Sequence, residues 1–165
     1  MQMSGAALES ETVIMVDDDE DLRLIIRDVL EDAGFDVIEC GDLSAAFALL
    51  NGVMPDVVLL DRDLPDGSGL EVARWMRGRR DYDGVPIIGL SGRHSPSDVD
   101  AALAAGCDAV IGKPCTSEML VNEIRATSNR LRAGLRRNRL QAVPPQRGIL
   151  ESAGRSTEKV IPSLT

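Results

Sequence analysis

Asp17 and Asp18, Asp61, Ser91 and Lys113 are the residues of this chain whose types could do chemistry together, and each follows a short apolar run. Three carboxylates gathered at one point repel one another. A divalent cation would neutralise them, and hard oxygen donors with room for water suit Mg²⁺. An amine (Lys113) and a hydroxyl (Ser91) opposite that cation make a cradle for a tetrahedral anion. Phosphoryl transfer needs little more than a nucleophile in line, a metal and fixed positive charge on the equatorial oxygens. An aspartate can itself be the acceptor, giving an acyl phosphate. Taken singly, each residue is an ordinary loop cap or a solvated lysine. Their shared position at strand ends makes them a set.

The elements that must position them follow from hydrophobic pattern. Val57–Leu60 is a continuous apolar, β-branched run that reads as a strand buried on both faces; it stops at Asp61 and a Pro/Asp/Gly/Ser loop. Thr12–Val16 is a strand ending on Asp17-Asp18-Asp19. A helix of about 14 residues follows, with Leu22, Ile25, Ile26, Val29 and Leu30 at helical spacing and Gly34 as the residue after its end. A strand over Asp36–Cys40 leads to a helix carrying Ala45, Ala46, Leu49 and Leu50. After Asp61 comes a helix with Leu70, Ala73 and Met76, its Arg74, Arg77 and Arg79 expected in solvent. Pro86–Leu90 is a strand ending at Ser91-Gly92, and Val99–Ala104 a short helix closed by Gly106. Asp108–Ile111 is a strand ending at Gly112-Lys113-Pro114, and a last helix starts near Thr116. Five strands alternating with five helices predict an α/β fold: a doubly wound five-stranded parallel sheet, flavodoxin-like order 2-1-3-4-5, helices on both faces. In that order strands 1, 3, 4 and 5 are neighbours, so the five residues converge on the carboxyl rim where such sheets bind ligands.

Composition limits the alternatives. The chain has 165 residues, 27 acidic and 18 basic, for a net charge of −9. Residues 125–165 hold nine Lys/Arg and two Glu, leaving nine and twenty-five in 1–124. An acidic domain with a basic tail is not built for nonspecific binding to nucleic acid or anionic membrane as a whole. Cys40, Cys107 and Cys115 have no metal-ligand spacing and fit a reducing compartment. The first eleven residues lack a signal-peptide pattern, and no apolar run is long enough to span a bilayer. Cytoplasmic location without membrane insertion is the expectation.

Val16-Asp17-Asp18, Leu60-Asp61 with Leu64-Pro65 and Gly69-Leu70-Glu71, Leu90-Ser91-Gly92 and Gly112-Lys113-Pro114, in this order and spacing, resemble a response regulator receiver domain of two-component signalling, of the CheY-like superfamily. The resemblance covers residues 12–125, with 1–11 a flexible N-terminus and 126–165 a basic helical extension and disordered tail. It implies that Asp61 is the phosphoacceptor, charged by a histidine kinase or histidine phosphotransfer protein, and that the only catalysis is transfer to its own aspartate. It implies Mg²⁺ on Asp18, Asp61 and the Asp63 backbone carbonyl, with Asp17 acting through a water. Ser91 would be the hydroxyl that turns toward the phosphoryl group, Lys113 its ion partner, and the Lys113–Pro114 bond cis. The switch region would comprise Ser91, Val110 and Pro114. Val110 stands where many relatives carry Tyr or Phe, Ser91 where Thr is commoner, and Asp63 adds a carboxylate near the acceptor.

Three look-alikes fail or rank behind. Asp61-Arg62-Asp63 with Asp66-Gly67 misplaces the EF-hand glycine and puts Pro65 at a ligand position. Gly106 with Gly112-Lys113 is one residue too long for a P-loop, with Pro114 in place of Ser/Thr. Asp61-x-Asp63 also resembles the nucleophile motif of haloacid-dehalogenase-type, Mg²⁺-dependent phosphatases, but there the acidic pair comes last in the chain. His94, the lone histidine, reads as a solvent-facing loop residue and Trp75 as packing. Residues 126–165 contain no aromatic residue and are broken by Gly134, Pro144-Pro145, Gly148, Gly154 and Pro162. They offer no scaffolded recognition helix, so no sequence-specific DNA binding is expected and the output would be a downstream protein effector.

Overall fold

The computed structural model describes residues 9–92 and 95–141, with side chains through Leu135. The sheet strands are β1 (Thr12–Val16), β2 (Asp36–Cys40), β3 (Val57–Asp61), β4 (Ile87–Ser91) and β5 (Ala109–Gly112). The α-helices are α1 (Glu20–Asp32), α2 (Leu43–Gly52), α3 (Leu70–Arg77), α4 (Pro96–Ala105) and α5 (Ser117–Gln141). All four strand pairings are parallel, in the order β2-β1-β3-β4-β5. The strand alternation sorts the core into two layers. Ile14, Val16, Val58, Leu60 and Ile87 face α2, α3 and α4. Val13, Met15, Val57, Leu59, Ile88, Leu90 and Ile111 face α1 and α5. The expected doubly wound fold is the observed one.

Local chemistry sets the helix starts. Asp19 accepts from Leu22 N at 3.0 Å, Asp42 from Ala45 N at 2.7 Å and Ser95 from Asp98 N at 3.2 Å. These are side-chain caps of exposed amide donors. Because Asp17 and Asp18 lie just ahead of the Asp19 cap, the acidic pair is held between a strand end and a helix start.

Some boundaries shift. β4 begins at Ile87, since Pro86 has no N–H to give the ladder, although its carbonyl accepts from Val58 N at 2.9 Å. β5 runs Ala109–Gly112, with Gly112 in register with Ser91. Two elements were not anticipated: an antiparallel hairpin pairing Asp63–Leu64 with Gly67–Ser68, and a 3₁₀ turn at Arg80–Tyr82. Both are too short to show a period.

Of the three arginines expected in solvent, Arg74 and Arg79 are exposed and Arg77 is not. Arg77 donates to the carbonyls of Gly106 (3.0 Å), Tyr82 (2.9 Å) and Val85 (3.1 Å) and pairs with Asp108 at 2.6 Å. Asp108 in turn accepts from Ile87 N at 2.8 Å, so one guanidinium ties α3 to the starts of β4 and β5. Arg79 lies 3.9 Å over the ring of Trp75, which is half-buried beside Phe47 and Tyr82. Trp75 is a packing residue, as its place in the sequence suggests. α5 continues unbroken past residue 125 to Gln141. His94 and residues 142–165 lie outside the described residues. Among those described, no helix is long and apolar enough to cross a membrane.

Candidate functional site

Asp17 and Asp18 follow β1, the buried Asp61 ends β3, the buried Ser91 ends β4 and Lys113 follows β5. One carboxylate oxygen each from Asp17, Asp18 and Asp61 lie within 4.8 Å of one another. Asp17 is fully buried: one oxygen accepts from Asp19 N at 2.9 Å, the other from Lys113 Nζ at 2.5 Å. Lys113 Nζ is 3.5 Å from Asp61, whose other oxygen accepts from Asp63 N at 3.4 Å. Asp18 is exposed. Three hard oxygen donors at this separation fit a divalent cation, so the residues present could hold one.

Backbone geometry places these groups. Lys113 N donates to Ser91 O at 2.8 Å, continuing the β4–β5 register to the rim, and the Lys113–Pro114 peptide is cis. Pro114 is exposed and Val110 half-buried in β5. Behind Asp61 the hairpin folds the chain back so that Gly69 N reaches Arg62 O at 2.8 Å. A Cβ on Gly69 would lie 1.8 Å from the Asp61 carbonyl oxygen, which makes glycine a steric requirement there. Asp66 pins the same loop to the start of α2. The donated amides of Leu43 (2.8 Å) and Ser44 (3.2 Å) hold its carboxyl below the usual range.

The site is electrostatically loaded. Burial first, and then the charge of Asp17, push the Asp61 carboxyl up to about 6, against the pull of Lys113. Burial works against the Lys113 ammonium, but its hydrogen bond to Asp17 and the charges of Asp61 and Asp17 outweigh it, leaving its pKa raised. Lysine therefore stays charged and bridges two carboxylates.

Sequence reading brought the five site residues to one place but missed three neighbours. Arg62, directly after Asp61, pairs with Asp98 on α4. Arg23 of α1 donates to the backbone carbonyl of Asp17 at 2.6 Å. Gly69 was noted only as part of a motif. The two arginines gave no signal, because an arginine has the same letter whether it points to solvent or to a partner remote in sequence.

Fold and site together define a doubly wound α/β protein with a lysine-bridged acidic cluster at the carboxyl rim of its sheet. Comparison with known proteins agrees: residues 13–125 match the response regulator receiver domain, and the chain belongs to that family. It is 36% identical over 132 residues to the KDP operon transcriptional regulatory protein KdpE of Escherichia coli K12, covering 80% of this chain and 54% of that protein. It is 37% identical over 120 residues to the DNA-binding response regulator MtrA of Mycobacterium tuberculosis H37Rv, covering 73% and 51%. The chain thus spans about half the length of these relatives. Among solved structures, Vibrio cholerae chemotaxis response regulator CheY4 matches with TM-score 0.68 at 27% identity, over 72% of this chain and 98% of that one. A putative response regulator from Chloroflexus aurantiacus, at 24% identity, shares the fold with TM-score 0.70 over 73% and 99%. Receiver domains are regulatory modules rather than turnover enzymes, and their partner class is the histidine kinase.

Proposed function

We propose that this chain is a phosphorylation switch in which Asp61 accepts a phosphoryl group from the phosphohistidine of a kinase or phosphotransfer protein. The observation that carries the reading is the convergence of Asp17, Asp18 and Asp61 with Lys113 at one rim. An Asp61 oxygen attacks phosphorus as the P–N bond to the donor breaks, and the imidazole leaves with the bonding pair and takes up a proton. Lys113, charged and already beside Asp61, offsets the charge developing on the phosphoryl oxygens. Ser91 would hydrogen-bond one of those oxygens in the product. Asp18, Asp61 and the Asp63 carbonyl would hold Mg²⁺, with Asp17 acting on it through a water. When bound, it screens the carboxylates from the incoming phosphate.

Intact mass after incubation with acetyl phosphate is the test. Gain of one hydroxylamine-labile phosphoryl group with Mg²⁺, absent with EDTA and absent in Asp61→Asn, is the expected result. Equal labelling of Asp61→Asn would reject the assignment. No observation favours the phosphatase reading.

Output through a cytoplasmic protein partner completes the proposal, with the basic extension as tether or docking segment. KdpE and MtrA are named for transcriptional regulation and DNA binding. The residues present here, in our reading, do not read a DNA sequence. Residues 126–165 supply arginines for salt-sensitive phosphate contacts, and a composition broken by glycine and proline without an aromatic residue does not spell a recognition helix on a scaffold. A gel shift on genomic fragments at physiological salt that showed tight, sequence-selective binding would overturn this.

A further inference from the structure

Arg23 touches none of the groups that would meet a metal or a phosphoryl group, yet its side chain reaches into the site from α1. Its Nη1 donates to the Asp17 carbonyl at 2.6 Å. The guanidinium gets there by lying over Gly41: a Cβ on that residue would stand 3.0 Å from Nη1 and 3.7 Å from Cζ. Gly41 is not among the glycines with a left-handed backbone, so room alone is what this glycine supplies. Arg23 Nε is sealed from solvent with no hydrogen-bond partner among the described residues. Burying an unpaired donor costs free energy, and the hydrogen bond obtained in exchange is the one to the Asp17 carbonyl.

That carbonyl belongs to the peptide joining Asp17 to Asp18. Asp17 N is already held by Cys40 O at 3.1 Å, and the Asp17 carboxylate by Asp19 N and Lys113. With Arg23 on the carbonyl, the plane of the following peptide is set as well. That plane decides where the Asp18 side chain leaves the backbone. Asp18 itself is exposed and has no hydrogen bond of its own among the described residues, so nothing but its backbone orients it.

We propose that Arg23 is a positioning residue for the acidic site, clamping the Asp17–Asp18 peptide so that the Asp18 carboxylate is presented to the cation. This rests on the metal-binding reading of the site. Charge and positioning act in opposite directions here, which makes the idea decidable. As a bare positive charge, Arg23 repels a divalent cation, and its loss would tighten binding. As a clamp, its loss frees Asp18 and weakens binding.

The experiment is Mn²⁺ binding to the full chain, read by the electron spin resonance signal of free Mn²⁺, with melting followed in EDTA. R23Q should weaken binding about tenfold or more, the usual cost of losing a residue that orients a ligand. G41V should do the same while leaving every charge in place, because its side chain occupies the guanidinium's slot. R23K keeps the charge but not the reach and fork geometry, and should resemble R23Q. Should R23Q fail to fold, G41A serves instead, with a smaller loss than G41V. Wild-type or tighter affinity in R23Q, or unchanged affinity in G41V, overturns the clamp. A wild-type protein that binds no Mn²⁺ defeats the metal reading itself, and Arg23's role falls with it.

Discussion

Neutralising Asp61 should stabilise the metal-free protein, and by an amount that depends on pH. The Asp61 side chain is nine-tenths buried, and burial together with Asp17 raises its pKa from the ordinary 3.8 to about 6. An acid that holds its proton more tightly when folded contributes its full stability below pH 3.8. That contribution is lost as pH rises through about 6 and changes no further above it. The shift corresponds to about 3 kcal/mol at neutral pH, at roughly 1.4 kcal/mol for each pH unit. Asp61→Asn removes the ionisation with almost no change of shape. In EDTA the variant should therefore exceed wild type by about 3 kcal/mol near pH 7.5 and by only about 1 kcal/mol near pH 4.5. Urea unfolding at the two pH values measures both differences, and subtracting one protein from the other cancels the remaining titrating groups. For a domain of this size the neutral-pH gap amounts to roughly 10 °C in melting temperature. Saturating Mg²⁺ should narrow it, since a ligand of the native carboxylate cluster stabilises wild type more. A gap that does not change with pH, or an asparagine variant less stable than wild type at neutral pH, would refute the reasoning.

Gly69→Ala should cost about 3 kcal/mol or more, because a Cβ 1.8 Å from the Asp61 carbonyl forces the loop to move, and it should slow labelling by acetyl phosphate. Melts within about 0.5 kcal/mol of wild type would contradict that. Arg77→Met strips one carboxylate and three carbonyls of their donor, and urea unfolding should show a loss of about 3–5 kcal/mol; a loss under about 1 kcal/mol would mean the ties are dispensable. Phosphorylation should alter amide exchange in the loop after β4 and along α4, β5 and α5, by biasing an existing equilibrium. Changes confined to α1 would count against it.

Much of the fold was legible because it rests on short-range pattern. Apolar β-branched runs at 12–16 and 57–60 and helical spacing at Leu22, Ile26 and Leu30 declare their elements without reference to the rest of the chain. The handedness of parallel crossovers then leaves few sheet orders, and strand ends carry Asp17, Asp61, Ser91 and Lys113 to one rim. Arg77 sits four residues after the buried Ala73, on the flank of the apolar stripe, so a signal for its burial was present but weak. Nothing local distinguishes Arg23, whose partner is a backbone carbonyl that every residue owns. The need for glycine at 69 arises only when the hairpin returns the chain onto Asp61. Residue types and their order were enough to bring the candidate groups to one rim. The pKa of Asp61, the bridging by Lys113 and the clamp on Asp17 required the tertiary structure, because desolvation and Coulomb energy depend on distances between residues remote in sequence.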